Sequence, residues 1–299
     1  MLYISGTGRS GSTILDQVLG QLDGFFSVGE LVNVWERGLV DRRKCGCGVP
    51  VPDCPVWGPV LIRAFGQPSS VDPVRAGRLA RRRHSLSALI RSTLRRRVGG
   101  DEYQELLASL YRALHDQTNC RVIVDSSKSP VYARLLGRVP ELDVYVIHLV
   151  RDPRATAYSW SRVKPLPDFS DDRSMIRQTA LVSARRWLRW QVGIELLWNR
   201  RQGRYLLLRY EDFVRNPQAS LERILNLVEE TPQTLPFVDE NAVRLSQTHS
   251  VSGNPTRFKT GVVELRHDQE WLDRIRKVDR LSVTALTWPL LLRYRYKLR

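Results

Sequence analysis

Lysine is nearly missing from this chain. Lys44, Lys128, Lys164, Lys259, Lys277 and Lys297 are the only ones, although basic residues number 47. Cysteine is sparse too, with four in 299 residues. So few cysteines exclude a small scaffold held together by disulfides. No apolar run approaches the roughly 20 residues that span a bilayer, so no membrane-spanning helix is expected. No secretory leader is read at the start, because Met1 runs through Leu2-Tyr3-Ile4 straight into glycines. A soluble, cytoplasmic protein is the expectation. Internal repeats and long low-complexity linkers are also lacking, which excludes solenoids and repeat arrays.

What is present is a large apolar fraction, 42%, enough for the core of one sizeable domain over residues 1–299. The formal net charge is +16 and the sequence pI about 10.3. That balance favours polyanionic partners: nucleic acid, an anionic membrane surface or a phosphate-bearing small molecule. Nearly all the positive charge is arginine, whose planar fork suits bidentate phosphate binding. An Arg-rich coding composition accounts equally well for the bulk of the surface arginines and points to a bacterial source.

Four short apolar runs read as buried parallel strands: Leu2–Ser5, Arg121–Asp125, Val144–Val150 and Tyr205–Arg209. Helical spacing fills the intervals. Thr13–Leu22 puts Ile14, Leu15, Val18, Leu19 and Leu22 on one face. Ser174–Trp198 does the same with Ile176, Ala180, Ala184, Trp187, Leu188, Gln191, Ile194 and Trp198. Asn216-Pro217 starts a further helix, with Asn as cap and Pro in the first turn. The alternation predicts an α/β, P-loop-like three-layer fold with a central parallel sheet flanked by helices. Residues 32–119 interrupt it with a cysteine loop, a Pro-rich stretch to Pro73 and an Arg-rich segment from Arg75 to Arg97. This is read as a basic, largely helical insertion that covers or borders the site.

Three motifs carry chemistry. Gly6-Thr7-Gly8-Arg9-Ser10-Gly11-Ser12-Thr13 lies between the first strand and the first helix. A Gly-rich turn there lets backbone N–H groups point at a phosphate, and the helix N-terminus adds favourable partial charge. Arg9 and the hydroxyls of Ser10, Ser12 and Thr13 add donors. A Walker loop would need lysine where Ser12 stands. The second motif, Val124-Asp125-Ser126-Ser127-Lys128-Ser129-Pro130, ends the next predicted strand and brings Lys128 to the ligand crevice of a parallel sheet. In the third, running from His148 to Trp160, Arg151 and Ser159 can converge on one phosphate, or Arg and Asp152 can simply cap the helix.

Together these motifs resemble the superfamily of sulfotransferases that use 3′-phosphoadenosine-5′-phosphosulfate (PAPS). GTGRSGST resembles its 5′-phosphosulfate loop, and LVRDPRATAYSW its 3′-phosphate motif. RYEDFVRNP and SGNPTRF resemble later segments of the same family. The resemblance implies that Gly8, Arg9, Ser10, Gly11, Ser12, Thr13, Arg151, Ser159, Tyr210 and Arg257 bind PAPS, with PAP as product and no metal required. The slot of the catalytic histidine in cytosolic members is Lys128 here. Tyrosylprotein sulfotransferases are more similar at this point, and their catalytic base is a Glu in a Gly-Glu pair. Val28-Gly29-Glu30 matches that pair, so the resemblance implies Glu30 as base, with Arg9 and Lys128 stabilising the transferred group. The implied acceptor is a hydroxyl on a small molecule, glycan, lipid or peptide.

Other readings stay open on the residues alone. A P-loop kinase or NTPase would use Asp125 for Mg²⁺. A nucleic-acid-binding protein would use the Arg75–Arg97 stretch and the tail from Arg293 to Arg299, although no specific nucleic-acid motif appears. Trp288-Pro289-Leu290-Leu291-Leu292 beside that tail suits peripheral membrane contact, or a terminal helix packed on the core. Cys45, Cys47 and Cys54 have the spacing C-x-C-x6-C, which fits no common zinc pattern. A structural loop without metal is the plainest expectation. One disulfide, or a metal with one further ligand, are the alternatives.

Overall fold

Side-chain alternation sorts the first strand, β1 (Leu2–Gly6), between two cores. Leu2 and Ile4 pack with Leu15, Val18 and Leu19, while Tyr3 packs in the other core with Tyr111 and Tyr132. Four more strands join it in the computed structural model, which describes residues 1–66, 71–83, 102–163, 165–167, 174–199 and 203–298. They are β2 (Phe25–Gly29), β3 (Val122–Lys128), β4 (Tyr145–Val150) and β5 (Tyr205–Arg209). All pairings are parallel, in the order β2-β3-β1-β4-β5. Val122 and Val124 join the Leu2 core and Ile123 the Tyr3 core. The central strands are thus buried on both faces, as a parallel sheet requires.

The four expected strands form, within a few residues at their ends. β2 adds a fifth. Its sequence FFSVG has no run of β-branched residues, and its ladder is made with β3 alone. Helix α1 (Ser12–Leu19) stops three residues earlier than its apolar spacing suggests, because the bonds beyond it tighten to i→i−3: the Gln21 N–H donates to the Val18 carbonyl at 3.2 Å and the Leu22 N–H to the Leu19 carbonyl at 3.1 Å. On the Leu2 face it is joined by Leu221, Ile224 and Leu225 of Pro217–Val228, the helix that Asn216 caps through a bond from the Ala219 N–H. A small antiparallel sheet of Phe237–Asp239, Ala242–Leu245 and Gly261–Glu264 packs on the same side.

The segment 32–119 supplies much of the opposite layer. A wide helical turn, Val34–Val40, is followed by helices Trp57–Phe65, Pro73–Arg83 and Glu102–Thr118. Trp35, Trp57, Tyr103 and Tyr111 are fully buried in the Tyr3 core. Arg75, Arg78, Arg81, Arg82 and Arg83 lie on Pro73–Arg83, whereas Arg91, Arg95, Arg96 and Arg97 fall outside the described residues. The long helix expected from Ser174 begins only at Ala180, where Thr179 caps it by accepting from the Val182 N–H. Ile176 is consequently 80% exposed instead of buried.

The tail is not a free basic arm. Tyr294 and Tyr296 are buried, and Tyr296 Oη donates to Glu211 Oε2 at 2.5 Å. In the preceding helix, Lys277–Arg293, Leu291 is buried and Trp288 and Leu292 are half exposed. No described helix is long and apolar enough to cross a membrane.

Candidate active site

Parallel strands bring all their carboxyl ends to one side of the sheet, where ligands bind in such folds. Strand order therefore becomes spatial order. Glu30 follows β2, Lys128 ends β3, the Gly6–Thr13 loop follows β1, Arg151 follows β4 and Tyr210 follows β5. These ends border a cleft of about 710 Å³, where Arg and Lys outnumber Asp and Glu seven to three.

The loop is shaped by what lies against it. Gly11 has φ +88°, and a Cβ there would stand 2.2 Å from the Tyr210 ring. A Cβ on Gly8 would meet the Trp160 ring at 2.6 Å. Both positions need glycine. Gly8, Gly11, Ser12 and Thr13 line the cleft, while Ser10 is fully buried beneath it. Thr13 Oγ1 accepts from the Asn254 N–H at 3.2 Å, which ties the loop to the segment after Ser252.

Arg9 occupies the left-handed region, with φ 70°. Such strain in a non-glycine residue collects at functional sites. Its guanidinium lies over the Trp160 ring at 4.9 Å and donates from Nη2 to Met175 Sδ. Nε and Nη1 are buried with no partner among the described residues. A buried cation with open donors is costly unless an anion completes it. Burial draws its pKa below the ordinary guanidinium value, against the pull of Glu30.

Lys128 shares the left-handed conformation, with φ 70°. β3 carries one more residue than β1 between the Tyr3–Asp125 and Ser5–Lys128 pairs, and this bulge re-aims the side chain. Its ammonium donates to Glu30 Oε1, and Glu30 Oε2 accepts from Asn33 Nδ2 at 3.0 Å. Arg37 Nη1 stands 4.0 Å from Oε2. Burial pushes the Glu30 carboxyl up, but Lys128, Arg37 and Arg257 outweigh it and hold the pKa below the usual carboxylate value. The Gly29-Glu30 pair has a steric reason as well. Gly29 has φ +69°, and a Cβ on it would meet the Ser252 carbonyl at 2.6 Å.

Residues 2–232 match the sulfotransferase family. The chain belongs to that family. Among curated proteins no sequence match is found. Two solved structures share the fold. The sulfotransferase domain from the curacin biosynthetic pathway is 18% identical with a TM-score of 0.52, covering 100% of this chain and 98% of that one. The sulfotransferase domain from the Synechococcus PCC 7002 olefin synthase is 20% identical with a TM-score of 0.54, covering 100% and 95%. At these identities the likeness is one of fold.

On the β4 side of this sulfotransferase, Arg151 and Ser159 both line the cleft and both are buried. Arg151 lies over the Tyr210 ring at 4.8 Å, donates from Nη1 to the Arg9 carbonyl at 3.1 Å and pairs with Asp268 at 3.2 Å. Asp152 caps the next helix, Pro153–Ser161, and forms a buried pair with Arg154. Arg257, expected beside a phosphate, does not line the cleft. It is 3% exposed and donates from Nη2 to the Lys44 carbonyl at 2.7 Å, turned back by the short helical turn Pro255–Phe258. Lys259 and Arg266 line the cleft instead.

Sequence reasoning also missed Asn33, Arg37 and Arg186. Asn33 and Arg37 are spaced i, i+4 and could have been found as one helical face next to Glu30. Arg186 comes from the Ala180–Trp198 helix and has no motif to mark it. Asp125, the carboxylate a kinase would offer to Mg²⁺, is buried outside the cleft and accepts from Tyr111 Oη at 2.5 Å and the Ser127 N–H at 2.7 Å. Burial raises its pKa to about 6. His148 belongs to β4, its ring lies between Tyr205 Oη and Gln191 Oε1 and does not line the cleft, and burial pushes its pKa down to about 4.

Proposed function

We propose that this sulfotransferase moves a sulfuryl group from PAPS to a hydroxyl acceptor and releases PAP. The observation that carries the reading is the meeting of three groups in one basic cleft: Glu30, Lys128 and an Arg9 whose Nε and Nη1 have no partner among the described residues. A donor with anionic groups at both ends fits such a surface. The loop N–H groups and Ser12 and Thr13 take the 5′-phosphate. Arg151 and Ser159 take the 3′-phosphate.

In the reaction, Glu30 accepts the proton of the acceptor O–H, and the acceptor oxygen forms a bond to sulfur. The bond from sulfur to the bridging oxygen breaks, and its electron pair stays on the phosphate of PAP. Lys128 and Arg9 stabilise that leaving oxygen and the sulfuryl oxygens. For this, the Lys128 ammonium shifts from Glu30 to the donor, which frees the carboxylate as donor binds.

The test is calorimetric titration with PAP, using AMP and ATP as controls. PAP binding without Mg²⁺ that is lost with the 3′-phosphate supports the donor assignment; binding of ATP–Mg²⁺ in its place overturns it. Glu30→Gln then separates base from binder. PAP release from PAPS across a panel of alcohols, phenols, glycans and peptides is expected to fall by about 10²–10⁴-fold, with PAP affinity kept. Unchanged turnover removes Glu30 as base.

A further inference from the structure

A sulfur-rich cluster lies outside the cleft. The Sγ atoms of Cys45, Cys47 and Cys54 and a ring nitrogen of His249 lie within 4.8 Å of one another. Cys54 Sγ is 3.2 Å from His249 Nδ1 and 3.6 Å from Cys47 Sγ. Tetrahedral zinc, with bonds of about 2.3 Å to sulfur and 2.0–2.1 Å to nitrogen, sets its ligand atoms about 3.4–3.8 Å apart. The cluster is already close to that size.

Its surroundings are organised around the four side chains. The Gly48 N–H donates to the Cys45 carbonyl at 2.8 Å, closing a tight turn that carries Cys45 and Cys47, and Gly48 has φ +91°. Gly46 lies flat on the His249 segment. Its N–H donates to the Ser250 carbonyl at 2.9 Å, and a Cβ there would be 2.6 Å from the Thr248 carbonyl. The His249 ring stacks on Phe26 with planes 6° apart, and Trp57 Nε1 donates to its carbonyl at 2.6 Å. Cys45 and Cys54 are buried, whereas Cys47 and His249 are half-buried and leave a way in. A disulfide would use two of the three thiols and strand the third beside an imidazole. Four ligands around one point leave no position for a substrate, which is the form of a structural site.

We infer that Cys45, Cys47, Cys54 and His249 bind one zinc ion, which staples the 45–54 loop to the irregular 249–252 segment that lies against Glu30. Binding needs no oxidant. Each thiol gives its proton to solvent as its sulfur joins the metal, up to three in all, and the imidazole binds neutral. The stapled segment runs directly to the cleft. The Val251 N–H donates to the Val28 carbonyl at 2.9 Å, and the Glu30 N–H donates to the Ser252 carbonyl at 3.0 Å. Loss of the metal therefore loosens the Gly29-Glu30 turn and the Gly253–Asn254 wall of the cleft. This last consequence rests on the proposed donor site; the metal site itself does not.

The experiment is metal analysis of the full chain purified without chelator, followed by exchange of zinc for Co²⁺. About one zinc per chain is expected, and cobalt should give the intense visible bands of a tetrahedral ion together with thiolate-to-cobalt charge transfer. Cys120→Ser, which removes the remaining cysteine, should leave both readings unchanged. Cys47→Ser should lower zinc affinity by at least ten-fold; should that variant fail to fold, stoichiometry and cobalt spectrum decide alone. Four thiols that titrate freely with no zinc bound would overturn the site in favour of a metal-free loop. Two titratable thiols in unfolded, unreduced protein would overturn it in favour of a disulfide. In the donor arm, zinc-stripped protein should bind PAP at least ten-fold more weakly, with unchanged circular dichroism. Equal affinity would sink the link to the cleft, while failure of the zinc-bound protein to bind PAP would count against the donor reading and leave the metal site standing.

Discussion

Glu30 is half-buried among cations, and two opposed effects act on it. Burial favours the neutral acid; Lys128, Arg37 and Arg257 favour the carboxylate and win. A depressed pKa keeps the base ionised to low pH, and activity is lost as pH falls through it. Lys128→Met removes the nearest cation, so the acid limb of kcat/KM for PAPS should move to higher pH while kcat falls. A limb that stays in place would mean that Lys128 does not set the charge of Glu30. Asp16 shows the reverse case. It is buried behind the loop, accepts from Ser27 Oγ at 2.5 Å, and burial raises its pKa to about 7 from an ordinary 3.8. The folded state then binds this proton more tightly than the unfolded chain, so stability falls as pH rises from about 4 through 7. Asp16→Asn keeps the bond to Ser27 and should be more stable than the parent above pH 7, by on the order of 4 kcal/mol. The gain should vanish near pH 4. A difference independent of pH in chemical denaturation would refute the assignment.

At the level of elements, the loop between β1 and α1 depends on two aromatic rings brought by later segments. Trp160 stands over Gly8 and Tyr210 over Gly11. Gly11→Ala meets both a left-handed φ and a ring at 2.2 Å, whereas Gly203→Ala meets a left-handed φ of +74° in open space. The second should cost only about 1 kcal/mol of backbone strain. The first should cost more in thermal stability and weaken PAP binding by at least ten-fold. Equal effects of the two would mean that the ring does not press on the loop. The RYEDF segment has a comparable linking role. Glu211 accepts from the Asp152 N–H at 3.0 Å and from Tyr296 Oη, which joins the end of β4 to the C-terminal tail.

Over the whole molecule, a net charge of +16 surrounds a cleft that is itself basic. A long-range field of this sign speeds the arrival of an anionic nucleotide and is screened by salt. Stopped-flow association of PAP should slow as ionic strength rises from 0.05 to 0.5 M, about ten-fold or less, with a smaller change in dissociation. A salt effect confined to dissociation would mean that only short-range contacts act. Many surface arginines are already paired, as Arg75 is with Glu102 and Arg81 with Glu36. Such exposed pairs add little to stability.

The first three motifs were legible in the sequence because each is local: a glycine turn between strand and helix, a lysine at a strand end, an arginine eight residues before a serine. Glu30 was legible only through its resemblance to a known pair. Hydrophobic period alone determined the parallel sheet, since buried strands and amphipathic helices alternate along the chain. Tertiary structure decided what depends on residues far apart. Arg257 turns away because the Lys44 carbonyl, 213 positions earlier, accepts its guanidinium. His249 comes to the three cysteines only because the distant 249–252 segment lies alongside the end of β2, where its ring stacks on Phe26 and the Val251 N–H donates to the Val28 carbonyl. Strand order β2-β3-β1-β4-β5, which no local pattern encodes, sets Glu30 beside Lys128 rather than beside Tyr210. Spacing along the chain controls which side chains share an element, and packing between elements controls which of them meet.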